Sequence, residues 1–173
     1  KKARKLDITE EVYYEIIRQK TATLIAACCE IGVLSNGADE VLAKKMLDFG
    51  TYTGIAFQIK DDLFDYLSKN IIGKPVGIDI KEQKMTLPLI FTLNSAKEID
   101  RKYFFNIIKK HNNNQSKVKE LIEFVKKSGG LDYAIGVMKD YQQKAKDILA
   151  EFPDSEAKHS LNLMLDYVIE RKF

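Results

Sequence analysis

The segment FQIKDDLFDY, residues 57–66, carries three aspartates within five positions, flanked by large apolar residues. On a helical wheel its polar side chains share one arc of about 100°: Gln58, Asp61, Asp62 and Asp65. The aliphatic side chains of residues 55–67 occupy the adjoining arc, which predicts a largely buried helix. Lys60 points away from the acids. Because clustered carboxylates repel each other on a buried helix, the pattern predicts that a positive group joins them.

A hard divalent cation is the natural partner of these acids. Mg²⁺ prefers oxygen ligands and is usually held by one or two carboxylates, several waters and substrate phosphates. Residues spaced i, i+3 and i, i+4 lie on one helix face, so Asp61, Asp62 and Asp65 are predicted metal ligands. The alternative is a helical interaction module with a solvated acidic face, since most surface charges have no specific role.

Lysines near this helix favour a phosphate partner. Lys74 and Lys84 follow the acids, in a glycine-containing segment that can bend over them. Lys20 and Thr21 lie in the middle of an increasingly apolar helix, and a buried lysine needs an anionic partner because burying its charge alone is costly. Taken singly, Lys74 and Lys84 are typical of solvated lysines and Lys20 could extend its ammonium group to water. Their occurrence together with DDLFD favours a site for a phosphorylated ligand.

The composition bounds the class of protein. With 173 residues, 45% hydrophobic and 31% charged, the chain is typical of one folded domain. The net charge is only +3 and lysines are interleaved with acids, so the sequence predicts no nucleic-acid partner. No apolar run approaches the roughly 20 residues that span a bilayer. The adjacent Cys28 and Cys29 are interpreted as buried thiols in a reducing compartment, which favours a cytoplasmic location.

Strand-like alternation is nearly absent, which predicts an all-α fold. The first helix is predicted to begin near Thr9 and the second to run from about residue 39 to 68. Residues 70–84 form a predicted loop, and a helix follows Thr86 with Pro88 in its first turn, where proline is tolerated. The remaining helices are predicted at about residues 99–111, 116–128, 131–151 and 154–171.

These motifs together resemble those of the trans-isoprenyl diphosphate synthases, or polyprenyl synthetases. FQIKDDLFDY is similar to the second aspartate-rich motif of that family, and RQKTATL to its Lys-Thr segment. GKPVGIDIKEQKMTLPLI is similar to its Gly-Lys loop and the helix that follows, and DYVIERKF to C-termini of long-chain members. The version with Pro75 and Val76 most resembles bacterial all-trans polyprenyl (octaprenyl-type) diphosphate synthases.

The resemblance implies an isoprenoid synthase helical bundle around a central cavity. It implies Mg²⁺-dependent transfer of the allylic chain from a diphosphate of the farnesyl or geranylgeranyl type onto isopentenyl diphosphate by a homodimer, with release of the diphosphate. Matched position by position, the metal ligands are Asp61, Asp62 and Asp65, and the catalytic residues are Lys20, Asp61 and Lys74. The matched substrate-binding residues are Lys20, Thr21, Phe57, Gln58, Lys74 and Lys84.

The first aspartate-rich motif of the family has no counterpart before residue 57. We therefore expect residues 1–173 to be the C-terminal part of a single polyprenyl synthetase domain, inactive by itself. The product chain length is not predicted, because the residues that set it lie near that first motif. Two further alternatives stay open: a non-catalytic regulatory subunit of a heteromeric prenyl diphosphate synthase, and a class I terpene cyclase.

Overall fold

A computed structural model describes residues 9–67 and 76–171. In these two ranges all regular structure is helical, which confirms the all-α prediction. The elements follow the chain in this order: α1 (Glu10–Ile17), a π-helical turn (Arg18–Ala22), α2 (Thr23–Leu34), α3 (Glu40–Phe64), α4 (Ile78–Lys81), α5 (Leu87–Ser95), α6 (Glu98–Lys110), α7 (Gln115–Lys127), α8 (Gly130–Ala150) and α9 (Glu156–Glu170).

The predicted starts of two helices agree with the structure, and α1 begins directly after Thr9. Helix α5 begins after Thr86 with a proline in its first turn, as predicted. Helix α3 ends four residues before the predicted end at Ser68, a residue that lies outside the described ranges. Its backbone tightens into bonds of the i→i−3 type, with the N–H of Asp65 donating to the carbonyl of Asp62 at 3.3 Å. The predicted loop also contains the short helix α4.

The described residues form two compact units. The first unit comprises residues 9–14, 61–67 and 76–135, and the second comprises residues 15–60 and 136–171. In the first unit α5 packs against α6 and α7. The fully buried side chains at these contacts are Leu89, Ile90, Leu93, Ile107, Ile108, Leu121 and Val125. Each large aliphatic side chain buried in this way contributes about 1.5–3 kcal/mol.

The second unit is built around a cluster on α3, α8 and α9. Its buried members are Met46, Phe49, Ala145, Leu149 and Leu165. The π-helical turn and helix α2 cross α3 at small residues. A Cβ atom added at Gly54 would lie 2.5 Å from the Cα atom of Ala22 in the turn. A Cβ atom added at Gly50 would lie 2.6 Å from the Cα atom of Ala26 on α2. Backbones at this distance leave no room for a side chain on α3, so the two glycines fix how closely the helices approach.

Both cysteines are free thiols. Cys29 is half-buried against the cluster of the second unit, and burial raises the pKa of its thiol. Cys28 is exposed, so the predicted burial was wrong for this residue. The α2 face that carries Cys28 also exposes Leu24 and Ile31, which explains why an apolar sequence did not guarantee burial.

Within residues 9–67 and 76–171, each helix is either too short or too polar to cross a membrane.

The close crossing of α2 and α3 predicts the effect of one added methyl group. Gly54→Ala should lower the free energy of unfolding by about 1–3 kcal/mol, because the backbone of α2 must move. The matched control is Gly32→Ala on α2, where an added Cβ meets nothing within 4 Å. Higher helix propensity should make that variant more stable by up to about 1 kcal/mol. Urea unfolding followed by circular dichroism measures both, and equal stabilities would refute the close contact.

Candidate active site

The second aspartate of the motif is buried in the first unit. Asp62 is 9% exposed, and its Oδ2 atom accepts a hydrogen bond of 2.8 Å from the hydroxyl of Tyr13 on α1. Tyr13 is 3% exposed. Burial and, after it, the negative charge of Asp62 raise the pKa of the Tyr13 phenol well above its usual value. The pair joins the start of α1 to the end of α3 through a hydrogen bond to a charged group, which is stronger than a neutral one.

The third aspartate is bound to backbone N–H groups. The Oδ1 atom of Asp65 accepts from the N–H of Ile78 at 2.7 Å, and its Oδ2 atom accepts from the N–H of Asp79 at 3.1 Å. Burial and the nearby charge of Asp79 raise the pKa of Asp65 to about 6, although the two N–H bonds act in the opposite direction. Both carboxylate oxygens of Asp65 therefore accept hydrogen bonds from the backbone at the start of α4.

The first aspartate, Asp61, is half-buried on the last turn of α3. Among the described residues, no group of three or more His, Cys, Asp or Glu side chains is arranged to hold a metal ion. These residues do not form a complete protein cage for a cation. They do fit the usual manner of Mg²⁺ binding, in which one or two carboxylates hold the ion and phosphates and water supply the remaining ligands.

Lys84 belongs to the same compact unit as the three aspartates, and its ammonium group forms ion pairs with acids of its own segment. Its Nζ atom is 3.0 Å from Oδ1 of Asp79 and 2.6 Å from Oε2 of Glu82. The hydrogen bond to Glu82 and then the one to Asp79 raise the pKa of Lys84. The Lys84 side chain is nearly half exposed, so each ion pair is weak and an anionic ligand can compete for its ammonium group.

The second unit contains four other predicted site residues. Lys20 and Thr21 lie in the π-helical turn, where the N–H of Thr23 bonds the carbonyl of Arg18. The predicted burial of Lys20 was wrong, because its side chain is exposed. The Thr21 hydroxyl donates to Oε1 of Gln58 at 2.8 Å, so these two predicted residues are in contact. π-Helical turns are rare and occur often at functional sites.

Phe57 is covered by the side chain of Arg171, the residue after α9. The guanidinium carbon of Arg171 lies 4.0 Å from the centroid of the Phe57 ring, and its Nη2 atom donates to the Phe57 carbonyl at 3.2 Å. Burial and, after it, the charge of Arg171 lower the pKa of Lys60. Arg171 is therefore the cationic side chain in contact with Phe57, and it is close enough to Lys60 to repel its charge.

The structure thus brings predicted site residues together within each unit. Asp61, Asp62, Asp65 and Lys84 belong to the first unit, and Lys20, Thr21, Phe57 and Gln58 belong to the second. Lys74 lies outside the described residues. Sequence reasoning missed Tyr13 and Arg171 as partners of the site residues, and it placed Asp79 only in the predicted loop of residues 70–84. A single sequence contains no signal for the Tyr13–Asp62 contact, because 49 positions separate the two residues.

The contact between Tyr13 and Asp62 predicts a stability effect. Tyr13→Phe should lower the free energy of unfolding by about 1–3 kcal/mol, because a buried carboxylate loses a donor. Tyr167→Phe is the matched control, since Tyr167 is 65% exposed and should change stability by less than about 0.5 kcal/mol. Guanidinium unfolding compares the two variants. A Tyr13→Phe protein as stable as the control would show that the hydrogen bond is not formed.

The surroundings of Asp65 predict an unusual titration. In the metal-free chain its carboxyl should titrate near pH 6 rather than near the ordinary pKa of 3.8. Since the pKa in the folded state is the higher one, this residue stabilises the fold below pH 3.8, and that contribution is lost as the pH rises through about 6. Asp79→Asn removes a neighbouring charge and should lower the pKa of Asp65. Carbon NMR of the aspartate carboxyl groups measures this, and a midpoint near 3.8 in the unaltered chain would contradict the arrangement.

Comparison with known proteins places the chain among prenyl synthases. The family model described as polyprenyl synthetase matches residues 1–125. The chain is 38% identical over 169 residues to a short chain isoprenyl diphosphate synthase of Methanothermobacter thermautotrophicus, covering 97% of this chain and 51% of that protein. It is 34% identical to heptaprenyl diphosphate synthase component 2 of Bacillus subtilis, covering 93% of this chain and 45% of that protein.

Solved structures agree with the sequence relatives. A decaprenyl diphosphate synthase from Rhodobacter capsulatus superposes with a TM-score of 0.90 at 35% identity, covering 99% of this chain and 53% of that one. A polyprenyl synthase from Caulobacter crescentus, complexed with calcium and isoprenyl diphosphate, has a TM-score of 0.89 at 32% identity, covering 99% and 52%. The chain spans about half the length of the relatives it matches. With its matching family model and its helical fold, the chain belongs to the polyprenyl synthetase family of isoprenyl diphosphate synthases.

Proposed function

We propose that the protein containing this chain is a Mg²⁺-dependent trans-prenyltransferase that condenses an allylic diphosphate with isopentenyl diphosphate to give a polyprenyl diphosphate. The observation that carries the proposal is the end of α3, where Asp61, Asp62 and Asp65 lie in the same compact unit as Lys84. Carboxylates that bind a cation and a lysine that binds an anion are what a metal-bound diphosphate requires.

Asp61 is the residue we assign to direct metal binding. It is half-buried on the last turn of α3 and corresponds to the first aspartate of the metal-binding motif that the sequence resembles. When bound, Mg²⁺ would supply Lewis-acid neutralisation of the diphosphate charge. A solved relative from Caulobacter crescentus, complexed with calcium and isoprenyl diphosphate, supports a divalent cation and a diphosphate ligand.

The lysines are assigned to the departing diphosphate. In the proposed reaction the bond between the allylic carbon and the diphosphate oxygen breaks, and the diphosphate leaves with the electron pair. The double bond of isopentenyl diphosphate then forms the new carbon–carbon bond to the allylic cation, and a proton is lost. Lys84 and Lys74 would stabilise the charge that grows on the leaving oxygen, an interaction that strengthens as the bond breaks.

For four predicted residues of the second unit we propose the following roles. Lys20 is exposed on the π-helical turn, where its ammonium group can reach an anionic ligand. Thr21 and Gln58 hold each other by a hydrogen bond of 2.8 Å, which fixes two polar groups for a ligand. Phe57 is proposed to lie beside the isopentenyl group, with Arg171 stacked on its ring.

Four features of the whole protein complete the proposal. They are a C-terminal position of residues 1–173 in a longer synthase domain, a homodimer, a cytoplasmic location and primers of the farnesyl or geranylgeranyl type. The chain spans about half the length of the relatives it matches, which supports the first of them.

A prenyl-transfer assay on the full-length protein containing this chain tests the function. With farnesyl diphosphate, labelled isopentenyl diphosphate and Mg²⁺, we expect chain extension, and Asp61→Ala should lower kcat at least about a hundredfold. Lys74→Ala should lower it at least about tenfold, with unchanged helicity. The matched controls are Asp140→Ala and Lys139→Ala, which alter exposed residues of α8 and should retain full turnover.

Other outcomes would support the alternatives. A protein that is inactive alone but stimulates a second synthase subunit would be a regulatory subunit. Conversion of the allylic diphosphate to a cyclic hydrocarbon without isopentenyl diphosphate would indicate a class I terpene cyclase. If Mg²⁺ with diphosphate leaves hydrogen exchange of residues 57–84 unchanged and the protein shows no prenyl transfer, the acidic helix belongs to an interaction module.

A further inference from the structure

The turn that follows α3 binds both ends of the segment from Gly77 to Thr86. At one end, the main-chain carbonyl of Asp65 accepts from the N–H of Gly77 at 3.0 Å, beside the two side-chain bonds of Asp65 to Ile78 and Asp79. At the other end, the buried hydroxyl of Tyr66 is 2.5 Å from the hydroxyl of Thr86. Two consecutive residues thus determine where this segment begins and where it ends.

The segment between these ends is also packed against its own unit. Gly77 adopts a left-handed conformation with φ of +76°, and an added Cβ would lie 2.5 Å from Cγ1 of Val118 on α7. Ile80 is fully buried, and the side-chain amide of Asn112 donates to the carbonyl of Lys81 at 2.6 Å. Movement at the start of α4 would therefore disturb the whole segment.

Lys84 is held in place by backbone and side-chain contacts with Asp79 of the same segment. Its backbone N–H donates to the carbonyl of Asp79 at 2.8 Å, and its Nζ atom is 3.0 Å from Oδ1 of the same residue. Asp79 in turn donates its own N–H to Asp65. A continuous chain of contacts runs from the third aspartate of the motif, through Asp79, to the ammonium group of Lys84.

We infer that Asp65 is a positioning residue, whose carboxylate holds the turn at Ile78 and Asp79 and thereby fixes Lys84 for its anionic ligand, rather than a metal ligand. Both carboxylate oxygens already accept backbone N–H groups at 2.7 and 3.1 Å, so metal binding would have to replace those bonds. The role of Lys84 in this inference rests on the proposed function. The role of Asp65 in ordering the turn does not.

Amide hydrogen exchange on the full chain, without metal or ligand and in the presence of a chelator, tests the positioning. Asp65→Ala should speed exchange of the Ile78, Asp79 and Lys84 amides at least about tenfold, because charge-assisted bonds are lost at the start of the turn. The matched control is Asp61→Ala, which should leave all three amides as protected as in the unaltered chain. Unchanged protection in Asp65→Ala would overturn the inference.

A second variant guards against general unfolding. Asp65→Asn keeps one acceptor oxygen and should leave one of the Ile78 and Asp79 amides protected while the other exchanges faster. Faster exchange throughout α5, α6 and α7 in both variants would overturn the local role, because Asp65 would then support the whole unit.

A double-mutant cycle separates positioning from metal binding. Calorimetry measures the Kd for inorganic diphosphate in the presence of Mg²⁺. Asp65→Ala alone should raise this Kd, whereas adding Asp65→Ala to Lys84→Ala should raise it little further. If the fold-increases in Kd of the two single variants multiply in the double variant, Asp65 acts independently of Lys84. That result would overturn the inference that Asp65 acts by positioning Lys84. If the unaltered chain binds no diphosphate, the proposed function fails at this site, while the exchange measurement still decides whether Asp65 orders Lys84.

Discussion

A carboxylate that leaves water must find a hydrogen-bond donor or a cation, and the last turn of α3 with the turn after it carries three carboxylates within five positions. Two of them, Asp62 and Asp65, accept hydrogen bonds within the first unit. Asp62 accepts a hydrogen bond from Tyr13 of α1, and Asp65 accepts hydrogen bonds from the backbone N–H groups at the start of α4. The acidic motif thereby organises its own unit, and Asp61 is the carboxylate assigned to the cation.

Much of the fold could be predicted because helix boundaries depend on local chemistry. Thr86 followed by Pro88 marks the start of α5 in the sequence as it does in the structure. Features set by tertiary contact could not be predicted in this way. The end of α3 comes early, where Asp65 turns to the backbone of residues 78 and 79. The close approach of Ala22 to Gly54, next to the π-helical turn, depends on how two helices cross.

The candidate site divides in the same manner. Spacing alone grouped Asp61, Asp62 and Asp65 on one helix face, whereas in the structure Asp61 and Asp62 lie on the last turn of α3 and Asp65 lies in the turn after it. The predicted burial of Lys20 was wrong, because an apolar stretch of sequence does not show which side of the helix other helices will cover. The partners that determine what each acid can do, Tyr13 and Asp79, come from distant parts of the chain or from the backbone. They therefore leave no periodic pattern in the sequence.

The most direct measurement of this account is the anomalous diffraction of crystals of the chain grown with Mn²⁺ in place of Mg²⁺ and with inorganic diphosphate. We expect an ion at coordinating distance from Asp61 and the diphosphate, with Lys84 turned towards the diphosphate. Asp65 should still accept the N–H groups of Ile78 and Asp79. An ion bound by Asp65, with those two backbone bonds broken, would contradict the division of roles among the three aspartates.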